Sequence, residues 1–212
     1  MNFSAILFDM DGVLIDSYDE WISADVGFLQ EYSIDPHGEL YSRFHGSSIL
    51  GVYNILCEER DISESFASFY SRRVSFINDA IYTTVGMMPG SRAFLEYASA
   101  RFPSALASAS EGEWVMSALS RNNISHYFQA VVSASDVEGK GKPEPDVFLK
   151  AAEKLNAPPE TCLVLEDSTN GILAGKRAGM TVGAYNNGRN TSQDLSLADF
   201  VFSDFTELFS LL

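Results

Sequence analysis

The sequence predicts an α/β protein whose core is a doubly wound, Rossmann-like parallel sheet, interrupted near its start by an all-helical insertion. Two observations predict the core: short, continuous apolar runs recur along the chain, and helical patterns separate them. A third predicts the insertion, since residues 17–83 contain no such run and their apolar positions follow helical spacing. Strands that alternate with helices favour right-handed crossovers and a sheet covered on both faces.

The core elements are predicted in chain order. The first strand, Ser4 to Phe8, is an apolar run that ends in acids and a glycine, which is typical of a strand buried on both faces. The other strands are predicted at Ser104 to Ala107, Ala130 to Ser133, Cys162 to Leu165 and Thr181 to Ala184. The helices between them are predicted at Ser91 to Arg101, Glu113 to Asn122, Asp146 to Leu155 and Thr169 to Ala178.

The insertion is predicted to form a cap over an active site. Its apolar positions at helical spacing are Trp21, Phe28 and Leu29, then Ile49, Val52, Tyr53 and Leu56, then Phe66, Phe69, Tyr70, Val74 and Ile77. Pro89 and Gly90 mark the return of the chain to the core. We therefore assign residues 1–16 and 84–212 to the core and residues 17–83 to the helical cap.

Composition restricts the partners that this chain can have. It has 212 residues, 46% of them hydrophobic, and a formal net charge of -15. Such a charge repels nucleic acid and anionic membranes, so we expect neither as a partner. Separately, a monomer or a small homo-oligomer is expected. The first residues lack a basic start and a long apolar stretch, which predicts a cytoplasmic protein. Cys57 and Cys162 lie in apolar contexts and are predicted to be buried free thiols.

Polar residues follow several of the predicted strands. They are Asp9, Asp11, Ser108, Lys142 after a loop, Glu166 and Asp167. In open parallel sheets, ligands bind at the carboxyl ends of the strands, near the point where strand order reverses. We therefore expect these side chains to meet in one site.

The carboxylates of this group indicate a magnesium site. Ionised groups in a dry interior are costly unless they are paired or bound to a metal, so Asp9 and Asp11, next to Gly12, need a cation. Glu166 and Asp167 add hard oxygen ligands, which suit Mg²⁺ together with a substrate phosphate and water. No competing set of His and Cys residues at zinc-ligand spacing is present in the sequence.

The remaining residues of the group predict the binding of a phosphoryl group. A cluster of acids repels phosphate, so the site also needs positive charge and oriented donors, which Lys142 and the Ser108 hydroxyl can supply. The amides of Ala109 and Ser110 follow at a probable helix start, which is a usual position for an anion. A small phosphorylated metabolite is the expected partner.

These residues, in this order, resemble the haloacid dehalogenase-like superfamily of aspartate-nucleophile phosphatases. The resemblance covers essentially the whole chain and rests on four motifs. They are Asp9-Met10-Asp11-Gly12-Val13-Leu14, the Ser108 that ends Ser104 to Ser108, Lys142 in Gly141 to Asp146, and Leu165-Glu166-Asp167-Ser168. The cap directly after the first motif resembles the subgroup that contains phosphoglycolate phosphatase, 6-phosphogluconate phosphatase and β-phosphoglucomutase.

The resemblance implies a role for each matching residue. Asp9 would be the nucleophile that becomes phosphorylated, and Asp11 would be the general acid and base. Glu166 and Asp167 would hold Mg²⁺ together with Asp9 and the main-chain carbonyl of Asp11. Lys142 and Ser108 would hold the phosphoryl oxygens.

Three other functions are alternatives to a phosphatase. Asp11 argues against dehalogenation, because attack on carbon needs no acid for a departing oxygen. A β-phosphoglucomutase-like phosphomutase stays open, although such mutases carry His where this chain has Trp21. A phosphate-accepting signalling module like a response-regulator receiver also has an acid pair and a lysine, but its acceptor aspartate lies on a mid-chain strand.

Candidates in the cap depend on weaker patterns. Arg43, His45, Arg72 and Arg73 could meet the non-phosphoryl part of the substrate when the cap closes. Surface charge on helices is the favoured interpretation for these residues, with His45, next to Gly46, as the most probable exception. His37 and His126 are assigned no role, and Trp114 is predicted to belong to the core.

Overall fold

A single parallel sheet organises the computed structural model of the chain, which describes residues 3–35, 38–77, 85–138 and 140–212. Its strands are β1 (Ala5–Phe8), β2 (Ser104–Ala107), β3 (Ala130–Val132), β4 (Cys162–Glu166), β5 (Thr181–Tyr185) and β6 (Phe200–Phe202). Within the described ranges they are arranged in the order β3-β2-β1-β4-β5-β6, and every neighbouring pair is parallel. The predicted fold class is confirmed.

Helices cover both faces of the sheet, because alternate residues of each inner strand point to opposite sides. Ile6 and Phe8 of β1 belong to one apolar cluster, whereas Ala5 and Leu7 belong to the other. The helices of the core are α5 (Ser91–Ser99), α6 (Gly112–Arg121), α7 (Asp146–Lys154) and α8 (Thr169–Arg177). Each begins and ends within a few residues of its predicted bounds.

The described part of the insertion contains helices. They are α1 (Tyr18–Glu31), α2 (Glu39–Ser42), α3 (Ile49–Glu59) and α4 (Phe66–Ile77). The two chain crossings between core and cap run side by side, since the Asp16 amide donates to the Gly86 carbonyl and the Met88 amide donates to the Leu14 carbonyl. The division at residues 16/17 and 83/84 stays a prediction, and residues 78–84 and His37 lie outside the described ranges.

Two expectations from the sequence were incomplete. The strand β6 was not identified, because it has only three residues and its central Val201 is half exposed. Both cysteines are free, but Cys57 is exposed on α3 rather than buried, whereas Cys162 is buried as expected. None of the described helices is both long and apolar enough to cross a membrane.

Strand order places the site. The chain leaves β1 toward β2 and β3 on one side and returns to β4, β5 and β6 on the other, so strand order reverses between β1 and β4. The crevice at the carboxyl ends of these two strands is where a ligand binds in such a sheet. Asp9 directly follows β1, and Glu166 ends β4.

Candidate active site

A buried lysine joins the ends of the two central strands. The Nζ atom of Lys142 lies 2.5 Å from Oδ1 of Asp9 and 2.6 Å from Oε1 of Glu166. The Lys142 side chain is 0% exposed. Burial by itself would lower the pKa of Lys142, but the charges of Asp9 and Glu166 outweigh it and raise that pKa above its ordinary value. Lys142 is therefore a fixed cation at the predicted reaction centre.

Glu166 is held rigidly by the turn that follows β4. Its Oε2 atom accepts hydrogen bonds from the amides of Asp167 and Ser168, both at 2.7 Å, and from the Ser168 hydroxyl at 3.0 Å. The first turn of α8 approaches so closely that a Cβ on Gly171 would lie 1.7 Å from Oε1 of Glu166. Only a residue without a side chain leaves room for the carboxylate at this position.

Asp167 faces the turn after β1. The Asn187 side chain, which follows β5, donates from Nδ2 to the Gly12 carbonyl and to Oδ2 of Asp167, both at 2.9 Å. Gly12 has φ +76°, and a Cβ there would lie 2.2 Å from Oδ2 of Asp167. The glycine of the first motif therefore lets the two strand ends approach each other.

Three of the predicted acids form a site that fits a divalent cation. Oxygen atoms of Asp9, Glu166 and Asp167 lie within 4.8 Å of one another. Burial, aided by neighbouring acids and opposed by Lys142, raises the pKa of Asp9 to about 8 and raises that of Asp167 well above its ordinary value. Without a metal these shifts favour protonation, whereas full ionisation of the three carboxylates would leave two negative charges beyond the one that Lys142, their described cation, balances. Hard oxygen donors with this charge deficit fit Mg²⁺.

Asp11 faces the cap instead of the carboxylate group. Its Oδ1 atom accepts from the Ser17 hydroxyl at 2.6 Å and from the Trp21 indole Nε1 at 3.2 Å, and its Oδ2 atom accepts from the Ser110 hydroxyl at 3.0 Å. A contribution of Asp11 to metal binding would come from its main-chain carbonyl and stays a prediction. Ser108 is buried, and its hydroxyl accepts from the Ser110 amide at 3.0 Å.

Core and cap enclose a cavity over these residues. Asp9, Asp11, Gly12 and Asp167 line its core side together with Ala109 and Ser110. The cap contributes aromatic and apolar walls, which include Trp21, Ile22, Tyr41, Phe44, Ile49 and Val52. Such a cavity would exclude water from a group bound near Asp9.

The cap segment 42–47 is hydrogen-bonded to the first turn of α8 and to the loop after β5. The Asn170 Nδ2 atom donates to the carbonyls of Arg43 and His45 and to the Ser47 hydroxyl, at 2.9 to 3.1 Å. The Gln193 side chain donates to the Ser42 carbonyl at 3.0 Å and lies 3.2 Å from Nδ1 of His45. Five contacts of this kind hold the cap against the core.

The cap candidates divide into two groups. His45 and Arg73 line the cavity, and the Arg73 side chain is only 5% exposed, so its interpretation as surface charge is wrong. Arg43 pairs with Glu58 and Glu59, and Arg72 pairs with Glu31 and Glu64, outside the cavity. Both arginines contact α1, but Arg73 reaches the buried Asp25 whereas Arg72 reaches the partly exposed Glu31.

Sequence reasoning missed several residues of the site. Trp114 was assigned to the core, but it lines the cavity and its ring meets that of Trp21 edge-on at 6.2 Å. Asn187 and Gln193 follow β5 in a loop that carries none of the recognised motifs. Only their place in the sequence could have indicated a role, because residues that follow any strand of a parallel sheet lie at the edge where ligands bind.

Comparison with known proteins places these features in a family. A sequence model described as haloacid dehalogenase-like hydrolase matches residues 6–185. The chain is 32% identical over 177 residues to the phosphorylated carbohydrates phosphatase of Thermotoga maritima, covering 83% of this chain and 82% of that protein. It is 26% identical over 179 residues to the fructose-1-phosphate phosphatase of Escherichia coli, covering 84% and 94%.

Solved structures share the fold. A β-phosphoglucomutase from Clostridium difficile superposes with a TM-score of 0.79 at 24% identity, covering 97% of this chain and 93% of that one. A hydrolase from Pseudomonas syringae reaches a TM-score of 0.81 at 24% identity, covering 98% and 96%. At this identity the likeness concerns the arrangement of the chain and not the substrate.

Proposed function

The chain belongs to the haloacid dehalogenase-like hydrolase family and is a phosphoric monoester hydrolase, and we propose that it cleaves a small sugar phosphate or phospho-acid with Mg²⁺ through an aspartyl-phosphate on Asp9. One observation carries the proposal. Asp9 lies at the end of β1 in contact with the buried Lys142, and Asp11 faces the same cavity from two residues further along. Relatives named for phosphorylated carbohydrates and for fructose 1-phosphate support a sugar phosphate as substrate.

Four residues would hold the metal: Asp9, Glu166 and Asp167 through their carboxylates, and Asp11 through its main-chain carbonyl. When bound, Mg²⁺ would neutralise charge on the phosphoryl oxygens. Lys142 keeps Asp9 oriented and provides a second positive charge beside the reacting group. The Ser108 hydroxyl and the amides of Ala109 and Ser110 are the expected donors to the remaining phosphoryl oxygens, and the Ser110 amide would exchange its bond to the Ser108 hydroxyl for one to phosphate.

Asp9 and Asp11 would perform two consecutive steps. In the first, a carboxylate oxygen of Asp9 bonds to phosphorus, the bond from phosphorus to the leaving oxygen breaks, and Asp11 gives its proton to that oxygen. In the second, Asp11 takes a proton from a water molecule whose oxygen bonds to phosphorus. The bond between phosphorus and Asp9 then breaks, and inorganic phosphate leaves.

Substitution of the nucleophile tests this mechanism. Phosphate release by purified protein is measured across a panel of phosphate esters with and without Mg²⁺. Asp9→Asn should abolish turnover while the circular dichroism spectrum stays unchanged, and Asp11→Asn should slow it by about a hundredfold or more. Full activity of Asp9→Asn, or no release from any ester by the wild-type protein, would contradict the proposal.

The phosphomutase alternative leads to a different product. A mutase would convert β-glucose 1-phosphate to glucose 6-phosphate, whereas a phosphatase would release inorganic phosphate. Trp21 occupies the position at which the mutases carry His, and its indole is engaged with Asp11, which favours hydrolysis. A receiver-like module would keep a long-lived phosphate on Asp9, so rapid turnover excludes it.

A further inference from the structure

The charges around the cavity restrict what the substrate can carry besides its phosphoryl group. The described basic residues that line the cavity are His45, Arg73 and Arg189, and Lys142 is buried behind Asp9 outside this lining. A second anionic group on the substrate, such as a carboxylate or another phosphate, would need one of them as its partner. Each of the three is already neutral or paired.

Arg73 is neutralised by a buried acid. Its Nη2 atom forms an ion pair with Oδ1 of Asp25, and both side chains are 5% exposed. The Tyr41 hydroxyl donates to Oδ2 of the same carboxylate at 2.8 Å, which fixes its orientation. Positive and negative charge therefore lie side by side in the cap wall, and their fields largely cancel at the position of a ligand.

Arg189 is outnumbered by acids. Its Nη1 atom lies 2.7 Å from Oδ2 of Asp19, and its Nε atom lies 3.7 Å from Oδ1 of Asp16. His45 contributes no charge at neutral pH, because burial lowers the pKa of its imidazole. Its Nδ1 atom accepts a hydrogen bond from the Gln193 side chain, which already donates to a carbonyl.

The same wall retains groups that suit an uncharged ligand. The Arg73 guanidinium lies over the rings of Phe28 and Trp21, at 4.8 and 5.8 Å from their centroids, and its Nε and Nη1 atoms are buried without a hydrogen-bond partner among the described residues, so it offers little accessible charge. Ile22, Phe44, Ile49 and Val52 provide apolar surface for carbon atoms. A carboxylate placed here would lose its hydration without gaining a free counter-charge.

We propose, on the basis of the phosphatase function above, that the cavity selects monophosphate esters with an uncharged leaving group, such as the hydroxyl-bearing end of a sugar or polyol. It discriminates against esters that carry a carboxylate or a second phosphate. The ion pair between Arg73 and Asp25, which leaves no net charge in this part of the cavity wall, is the main determinant of this preference. Of the two substrate classes proposed above, this retains the sugar phosphates whose non-phosphoryl part is uncharged and excludes the phospho-acids.

Matched pairs of esters test the preference. Glucitol 6-phosphate and 6-phosphogluconate differ only at the distal carbon, and so do 2-hydroxyethyl phosphate and phosphoglycolate. The kcat/KM of each ester is measured, together with its inhibition constant against hydrolysis of p-nitrophenyl phosphate. The uncharged member of each pair should be favoured by about tenfold or more, which corresponds to about 1.4 kcal/mol.

Substitutions that release a cation should move the preference. Asp25→Asn keeps the shape of the side chain and frees the charge of Arg73, so it should reduce the discrimination by about fivefold. Asp19→Asn removes the nearer of the two acidic partners of Arg189 and should reduce it by about twofold. Asp19 is largely exposed, so this second variant folds even if the buried substitution does not. Glu31→Gln is the control, since it changes the net charge equally but removes one of the two acidic partners of Arg72, outside the cavity.

Three results would overturn the inference while leaving the proposed function intact. The first is that the acidic esters are hydrolysed or bound as well as their uncharged partners. The second is that Glu31→Gln changes the discrimination as much as the cavity variants do, and the third is that about 0.5 M salt abolishes it in the wild-type protein. The second or third result would assign the discrimination to the net charge of the whole molecule. Failure of every ester to release phosphate would instead contradict the proposed function.

Discussion

At the scale of single residues, the two acids of the first motif have different surroundings. Asp9 is buried against Lys142, whereas both oxygens of Asp11 accept hydrogen bonds from residues that face the cavity. Trp21 belongs to the cap, so the indole contact couples the position of the cap to the orientation of the proposed general acid. A general acid and base must be held within hydrogen-bonding reach of the leaving oxygen to be effective.

We predict that Trp21→Phe lowers kcat by about tenfold, because hydrogen bonds to charged groups are typically worth about 1.5–3 kcal/mol and part of that orients Asp11. The matched control is Trp114→Phe, which alters the neighbouring ring and removes no described contact with Asp11. Steady-state kinetics with p-nitrophenyl phosphate separate kcat from KM. An equal loss in both variants, or a change in KM alone, would show that the ring packing matters and the indole N–H does not.

At the scale of elements, helix α8 packs so closely on the end of β4 that no side chain fits at Gly171, where the two meet. The close contact between Gly171 and Glu166 places the amino-terminal turn of α8 directly beside the carboxylate that holds Lys142. The hydroxyl of Ser168 both accepts from the Gly171 amide and donates to Glu166. The first turn of α8 and the end of β4 therefore pack directly against each other and are joined by hydrogen bonds.

We predict that Gly171→Ala lowers kcat by about a hundredfold and the free energy of unfolding by about 1–3 kcal/mol, because its Cβ would displace Glu166. Gly86→Ala is the control, since a Cβ there meets nothing within 4 Å. Urea denaturation and phosphate release are measured on both variants. Normal activity of Gly171→Ala would show that Glu166 can move without consequence.

A second prediction at this scale concerns the cap segment that carries His45. Burial lowers the pKa of the folded imidazole, so between that value and the ordinary value of about 6.5 the unfolded chain binds more protons than the folded one. The free energy of unfolding should therefore fall as the pH falls from about 7 toward 5.5. His45→Gln should weaken this dependence, whereas substitution of the exposed His126 by Gln should leave it unchanged. Urea midpoints at each pH measure the effect, and equal slopes in both variants would contradict it.

At the scale of the whole molecule, an acidic chain concentrates three carboxylates at the ends of its two central strands. The formal net charge is -15, and the group formed by Asp9, Glu166 and Asp167 has Lys142 as its described counter-charge. Clustered charges of this kind reduce the stability of the folded state unless a cation binds there. Metal binding and folding should therefore be coupled.

We predict that Mg²⁺ raises the melting temperature of the wild-type protein, because a ligand at about 100 times its Kd stabilises the fold by about 2.7 kcal/mol. Asp167→Asn should abolish this rise, and the control Asp61→Asn, at an exposed acid outside the group, should retain it. Differential scanning calorimetry with and without chelator measures both. A rise of equal size in the two variants would place the metal elsewhere.

Local patterns in the sequence were sufficient for most of the sheet and for the charged residues at its strand ends. Apolar runs identified five of the described strands, and the strand-end motifs identified Asp9, Lys142, Glu166 and Asp167, which the structure brings together. The prediction succeeded because each signal occupies a few consecutive residues, and because parallel strands bring their carboxyl ends to one edge. The fold class, the family and the enzyme class are confirmed, whereas the individual catalytic roles stay predictions.

Only the tertiary structure decided what surrounds the substrate. The sequence presents Arg72 and Arg73 as equivalent neighbours, yet one lies in a partly exposed ion-pair network and the other forms a buried pair with Asp25. Likewise, nothing local places the Trp21 indole on Asp11 or Asn187 on Asp167. These contacts join residues from different elements, and their geometry depends on how helices pack on a sheet and a cap on a core. Long-range packing therefore sets the charge and shape of the cavity, whereas the sequence by itself determined the fold class and the group of charged residues at the strand ends.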